Sequence, residues 1–255
     1  MLSKKQCIKA IQKWKIIRSD YKEIKELIPP IAIFEFSKSD CKWLEDHNKN
    51  SKFHVYIGVH INQFILIIVP LEQNGKEQIL ANYLTSDITL SKDKVTFVET
   101  DIIIKTTKTN LNHNLEITHY LEESNASVYN EPTITEKTSV YDIEKWRNES
   151  LDWFYNECNY YNGDRIVRAF TVPFPDLSWK DKQYKEVKVF FGFKNSSIYQ
   201  RLIPILIFVA INNKTGTGEI IRSLTSGNRV VTNIRDWSQP CPPMCRGLND
   251  YIFLD

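Results

Sequence analysis

The sequence predicts an α+β fold made of two tandem related lobes, each a helix packed on a mostly antiparallel sheet. Two observations carry this expectation. Short motifs of the first half recur in the second half in the same order. Each half also opens on apolar residues at helical spacing and then runs into β-branched and aromatic stretches typical of strands.

The recurrence can be followed motif by motif. Ile11–Lys15 (IQKWK) returns as Ile143–Arg147 (IEKWR), and Asp40–Trp43 (DCKW) as Asp176–Trp179 (DLSW). Phe53–Gly58 (FHVYIG) returns as Val187–Gly192 (VKVFFG), Ile65–Val69 as Ile205–Val209, and Leu84–Ser86 (LTS) as Leu224–Ser226 (LTS). The offsets run from 132 to 140 residues and drift only by loop-sized amounts. Repeats of this length are domain-sized. The expected organisation is a first lobe at 1–125, a linker at 126–138 and a second lobe at 139–255.

The elements follow in order. Ile8, Ile11, Ile16, Ile17, Ile24 and Leu27 fall at mostly helical spacing, so a helix is expected over Lys4–Leu27, ended by Pro29-Pro30. A short strand follows over Ile31–Phe36. Asp40 then caps a helical turn, and Trp43 packs onto the sheet. Asn74-Gly75 lies between the runs Phe64–Leu71 and Gln78–Leu84, a type I′ hairpin signal. Val95–Thr106 reads as a strand and Leu111–Ser124 as a helix. In the second lobe the helix is expected over Ser139–Tyr160 with Ser139 as its cap. A strand over Ile166–Val172 follows, and Asn212–Gly218 makes a looser connection between strands.

Charge and cysteine usage narrow the function classes. Thirty-three basic against thirty-one acidic side chains leave +2, which gives no overall steering toward nucleic acid or an anionic membrane. Arginine is unevenly placed: only Arg18 precedes residue 146. An anion site is therefore expected in the second half, because the guanidinium fork suits carboxylate and phosphate. The apolar run Phe64–Leu71 is too short to span a bilayer, so no membrane association and a cytoplasmic location are expected. Of five cysteines only Cys241 and Cys245 are close, and the spacing fits neither a redox pair nor half of a zinc site. The two prolines between them are expected to hold the backbone extended and leave two free thiols.

Few residues suggest chemistry. Asp40 and Asp176 recur at matching positions, and facing each other across a pseudo-twofold axis they would serve as a split acid–base pair. His54 and His60 share a strand face and, with His113 or His119, would make three nitrogen ligands, but no ligand-spacing motif supports a metal. Neither a metal nor a cofactor is expected. Trp14, Trp43, Trp146 and Trp179 are expected in the core. The C-terminal residues Arg229, Arg235, Trp237, Met244 and Arg246 combine arginine, tryptophan and proline-rich context, as binding surfaces do. The leading expectation is a soluble, non-enzymatic protein that binds another protein, toxin neutralisation (an immunity-type role) being one form. A hydrolase using Asp40 and Asp176 between the lobes is the alternative, and a structural subunit of a larger assembly is the third.

Overall fold

A computed structural model describes residues 1–90, 136–177, 184–212, 223–225, 229–231, 234–235, 238–245 and 251–254. Side chains at 136–137, 184–185, 212, 223–225, 229–231 and 234–235 are not described. The expected strand at Val95–Thr106, the helix at Leu111–Ser124, the linker at 126–138 up to residue 135, and the connection beyond Asn212 lie outside the described residues.

Alternating residues in the long strands set the architecture. One six-stranded antiparallel sheet runs in the order β1 (Leu2–Ser3), β5 (Asn82–Asp87), β4 (Gln63–Val69), β3 (Lys52–His60), β7 (Ala169–Pro173) and β13 (Gln239–Cys241). A five-stranded sheet runs β12 (Ile234–Arg235), β9 (Arg201–Asn212), β8 (Tyr184–Ser196), β2 (Ala32–Ser37) and β6 (Thr89–Leu90). β10 (Ser223–Thr225) and β11 (Arg229–Val231) form a separate two-stranded ribbon. Phe53, Val55, Ile57 and Val59 of β3 pack with Val187, Val189, Phe191 and Phe193 of β8 in one apolar layer. The alternate residues face outward and are covered by helices. Helix α1 (Lys4–Ile17) lays Cys7, Ala10 and Ile11 against Tyr56, Ile65 and Ile67. Helix α4 (Glu136–Tyr161) lays Ile143 against Phe190, Ile205 and Ile207. The result is helix, sheet, sheet, helix, an α+β arrangement.

Each sheet takes a strand from the other half of the chain. β2 pairs with β8, and β7 pairs with β3. Residues of 1–125 and of 139–255 therefore contribute to both sheets and to one inter-sheet core. The two helix-on-strand packings have two contacts in common. A Cβ on Gly58 would sit 3.0 Å from the Ala10 Cβ, and a Cβ on Gly192 would sit 3.3 Å from the Asp142 Cβ. Lys13 Nζ donates to Asn62 Oδ1 at 2.7 Å, and Lys145 Nζ donates to Asn195 Oδ1 at 3.1 Å.

Several boundaries differ from expectation. The first helix breaks at 18–20, where Asp20 turns to cap α2 (Tyr21–Leu27) by accepting from the N–H groups of Lys22 and Glu23. Ser139 lies inside α4 and is fully buried, so it is not a cap. The chain does reverse at Asn74-Gly75, but not through the expected type I′ turn: Asn74 keeps a negative φ, the Gly75 N–H donates to the Glu72 carbonyl, and Gly75 at φ +84° ends a three-residue loop. The ladder with β4 begins only at β5, because the chain runs off the sheet through residues 70–81.

The expectation for Cys241 and Cys245 is corrected. They form a disulfide with Cα atoms 4.7 Å apart. The linker is not extended: the Met244 N–H returns to the Pro240 carbonyl at 2.8 Å, closing a turn, and the bonds before Pro242 and Pro243 are both cis.

The helix break gives α4 its anchor. Arg18, nearly buried, donates from one Nη to the Gly163 carbonyl at 2.7 Å and to the Ile166 carbonyl at 3.3 Å, and from the other to Asp164 Oδ1 at 3.2 Å. Gly163 has φ +69°, and a Cβ there would lie 2.2 Å from the Arg18 carbonyl oxygen. Gly163→Ala is expected to cost at least about 2 kcal/mol, combining left-handed strain with a backbone clash, measured as a lower urea midpoint with an unchanged slope. Because each sheet needs both halves, residues 1–125 expressed alone are expected to give poorly dispersed amide resonances, and co-expression with 126–255 to restore the native spectrum.

Candidate functional site

At one corner α4 ends beside the turn joining β8 to β9. The α4 residues Glu157 and Tyr161, the following loop residue Arg165, Tyr199 of the turn and Arg201, the first residue of β9, converge there. Arg165 donates from Nη2 to Glu157 Oε1 at 2.9 Å, and its guanidinium lies 3.7 Å over the Tyr161 ring. Glu157 is buried, and burial raises its carboxyl pKa, opposed by Arg165 and Arg201. Arg201 is half-buried; burial first and then Arg165 lower its pKa, while Glu157, Tyr161 and Tyr199 act the other way. Among the described residues no carboxylate lies within ion-pair distance of Arg201. The buried carboxylate thus pairs, among the described residues, with Arg165 alone, and Arg201 feels its charge only from beyond ion-pair distance. Around them Tyr161, Tyr199 and Ile198 are exposed, Ile198 by 80%.

The residues singled out from sequence are scattered by comparison. Asp40 is half-buried in the first turn of α3 (Lys38–His47), where its Oδ2 accepts from the Ser37 N–H at 2.8 Å and from the Ser37 hydroxyl at 2.6 Å. The cap itself is Ser37, one turn earlier than expected. Asp176 is fully buried at the end of a 3₁₀ turn, Phe174–Asp176, that packs against β3. Asp40 thus stands on a helix that packs on β2, β8 and β5, and Asp176 on a turn against β3. Arg229 lies in β11 and Arg235 in β12, Met244 is half-buried beside the disulfide, and Trp237 and Arg246 lie outside the described residues. Trp14 and Trp146 are buried as expected, Trp43 packs partly buried against the core, and Trp179 lies outside the described residues. Between the sheets the aromatic packing around Trp14 and Trp146 leaves a cavity of only about 10 Å³, wholly apolar in its exposed lining.

Sequence reading missed a buried polar cluster. Glu77 has a fully buried side chain. Its Oε1 accepts from the Tyr56 hydroxyl and lies 2.6 Å from His54 Nδ1, and its Oε2 accepts the Ile252 N–H at 3.0 Å. The His54 ring stacks on Tyr251 at 4.3 Å, and the Tyr251 hydroxyl pairs with Thr171 Oγ1 at 2.7 Å. Burial, and then Glu77, push the Tyr56 hydroxyl pKa upward, so Tyr56 acts here as a hydrogen-bond donor. This cluster ties the C-terminal segment 251–254 to β3 and to the 70–81 excursion. No sequence signal reveals it, because Glu77 sits beside a turn where a solvated carboxylate is the ordinary reading. Among the described residues no group of three or more His, Cys, Asp or Glu is placed to hold a metal, and His54 is committed to Glu77. No helix among them is long and apolar enough to cross a membrane.

No protein-family model, curated protein or solved structure matches this chain.

Two outcomes test this chemistry. Glu77→Ala removes the acceptor for three buried donors and is expected to cost about 3–5 kcal/mol, read by urea denaturation. Burial raises the thiol pKa of Cys41 to about 12 and those of Cys7 and Cys158 to about 11. A thiol held protonated is a poor nucleophile, so at pH 8 all three are expected to resist iodoacetamide in the folded protein and to react promptly in urea.

Proposed function

We propose that the protein is a non-enzymatic binding protein that docks an acidic segment of another protein at the corner formed by Tyr161, Arg165, Tyr199 and Arg201. The observation that carries this reading is Arg201, a half-buried guanidinium beside a second guanidinium and without a carboxylate of its own among the described residues. An acidic side chain from a partner would complete the pairing with charge-assisted hydrogen bonds. Exposed tyrosines and arginine are the side chains that dominate interface energetics. Toxin neutralisation is one form such binding takes. A disulfide such as Cys241–Cys245 persists mainly in oxidising compartments, so this reading places the encounter there rather than in a reducing cytoplasm.

The same proposal extends to origin. We infer that the chain descends from a duplicated helix-and-strand unit whose copies exchanged β2 and β7. The matched Gly58 and Gly192 packings, and the matched Lys13–Asn62 and Lys145–Asn195 bonds, support it.

Fluorescence anisotropy with a labelled hexaglutamate peptide tests the docking surface. Arg201→Glu is expected to weaken binding at least tenfold, as loss of a charge-assisted contact of about 1.5–3 kcal/mol implies. Lys25→Glu, the same charge change on α2, is expected to alter it little. Equal effects of the two variants would rule out the corner as the binding site.

A further inference from the structure

Helix α1 and the C-terminal segment 251–254 enclose a cavity of about 70 Å³ on the outer face of the six-stranded sheet. Ile11, Trp14, Phe253 and Leu254, all buried, form its apolar lining. Gln12, Lys15 and Arg168 supply its polar lining, and among the described residues no acidic side chain lines it. The backbone of Arg168 is pinned on both sides: its N–H donates to the Cys241 carbonyl at 2.8 Å, and its carbonyl accepts from the Ile57 N–H at 3.0 Å. Its half-buried side chain has no carboxylate within ion-pair distance among the described residues. It also stands close enough to Arg18 to oppose that residue's charge. A pocket with an apolar interior and a few convergent polar groups is the general form of a small-ligand site.

We propose that this cavity binds a small free carboxylate with a short apolar chain, the carboxylate held by Arg168 and Lys15 and the chain lying against Trp14, Phe253 and Leu254. Two cations without a counter-charge among the described lining residues select an anion, and the guanidinium fork favours the planar carboxylate. The apolar residues select for the chain. A water needs about 10–15 Å³ of such space, so the cavity takes a ligand of about five to seven non-hydrogen atoms, the size of butyrate. The site shares no residue with the docking corner, although Arg165 of the corner and Arg168 of the cavity stand in the same loop between α4 and β7.

The test is an NMR titration of the full chain with butyrate, with butyramide and inorganic phosphate as comparisons at matched ionic strength. Butyrate is expected to give saturable shifts at the Trp14 indole N–H and at Phe253 and Leu254. Butyramide, lacking the charge, and phosphate, lacking the chain, are each expected to bind at least tenfold more weakly. Arg168→Met and Lys15→Met are each expected to weaken butyrate binding about tenfold, the measured loss of one charged contact. Lys15 is exposed on α1, so its variant folds whatever becomes of the Arg168 variant. The proposal falls if butyramide or phosphate binds as well as butyrate, or if Lys15→Met leaves butyrate affinity unchanged. It also falls if the shifts appear at Tyr161 and Tyr199 instead, or if none appear.

Discussion

The inter-sheet aromatic layer is the constraint on which the rest depends. Phe34, Phe64 and Phe191 pack with one another at centroid distances near 6 Å, and Trp14 and Trp146 each meet one of them, Phe64 at 5.2 Å and Phe191 at 4.6 Å. These rings come from α1, β2, β4, α4 and β8, so the layer exists only when both ends of the chain are in place. Rings of this size each bury a large apolar area and add an orientational preference. The two tryptophans differ in one respect. The Trp14 indole N–H donates to the Val167 carbonyl at 2.9 Å, whereas that of Trp146 is buried without a partner among the described residues. Such an orphan costs stability, and the packing around Trp146 offsets it.

On this frame the outer face of the six-stranded sheet carries most of the polar construction. α1, the excursion 70–81 and the segment 251–254 meet there, and Glu77 joins the last two. A buried carboxylate holds only when donors surround it, and Glu77 draws its donors from β3 and from the C-terminal segment. Gln78 repeats the device one residue on, donating from its side chain to the carbonyls of His47 and Leu71 and so fixing the end of α3. The butyrate-sized cavity is the gap left where this cover meets α1.

Much of the fold was legible in the sequence because it rests on periodicity. The helical spacing through Ile11 and Trp14 and the β-branched runs at Ile65–Val69 and Ile205–Val209 name their elements directly. Gly58 and Gly192 were visible as matched positions, though their reason, close approach of a helix, needed coordinates. Pairing partners were not legible. Nothing in β2 states that it joins β8 rather than β3, since all three offer compatible apolar faces and pairing is decided by tertiary geometry. The disulfide is not legible, because a two-proline linker reads as extended in sequence and the turn that closes it needs coordinates. For the proposed site, the bias of arginine toward the second half is legible, and Arg165 and Arg201 belong to that half. Their convergence with Glu157 was hidden, because residues 157, 165 and 201 are neighbours only after β9 returns beside α4. Glu77 was illegible for a related reason, its donors lying at 54, 56 and 252.

The bond from the Ile252 N–H to Glu77 spans 175 residues, close to the end of the chain. At a synthesis rate of about 5–20 residues per second, the last donor of that carboxylate leaves the ribosome roughly 9–35 seconds after its acceptor. During that interval the outer face of the six-stranded sheet lacks its final cover, with Tyr56 and Tyr83 not yet shielded by Phe253. The nascent chain therefore passes through a stage with most of its helices made and an aromatic strand face still open, the stage at which protection by a chaperone matters most to it.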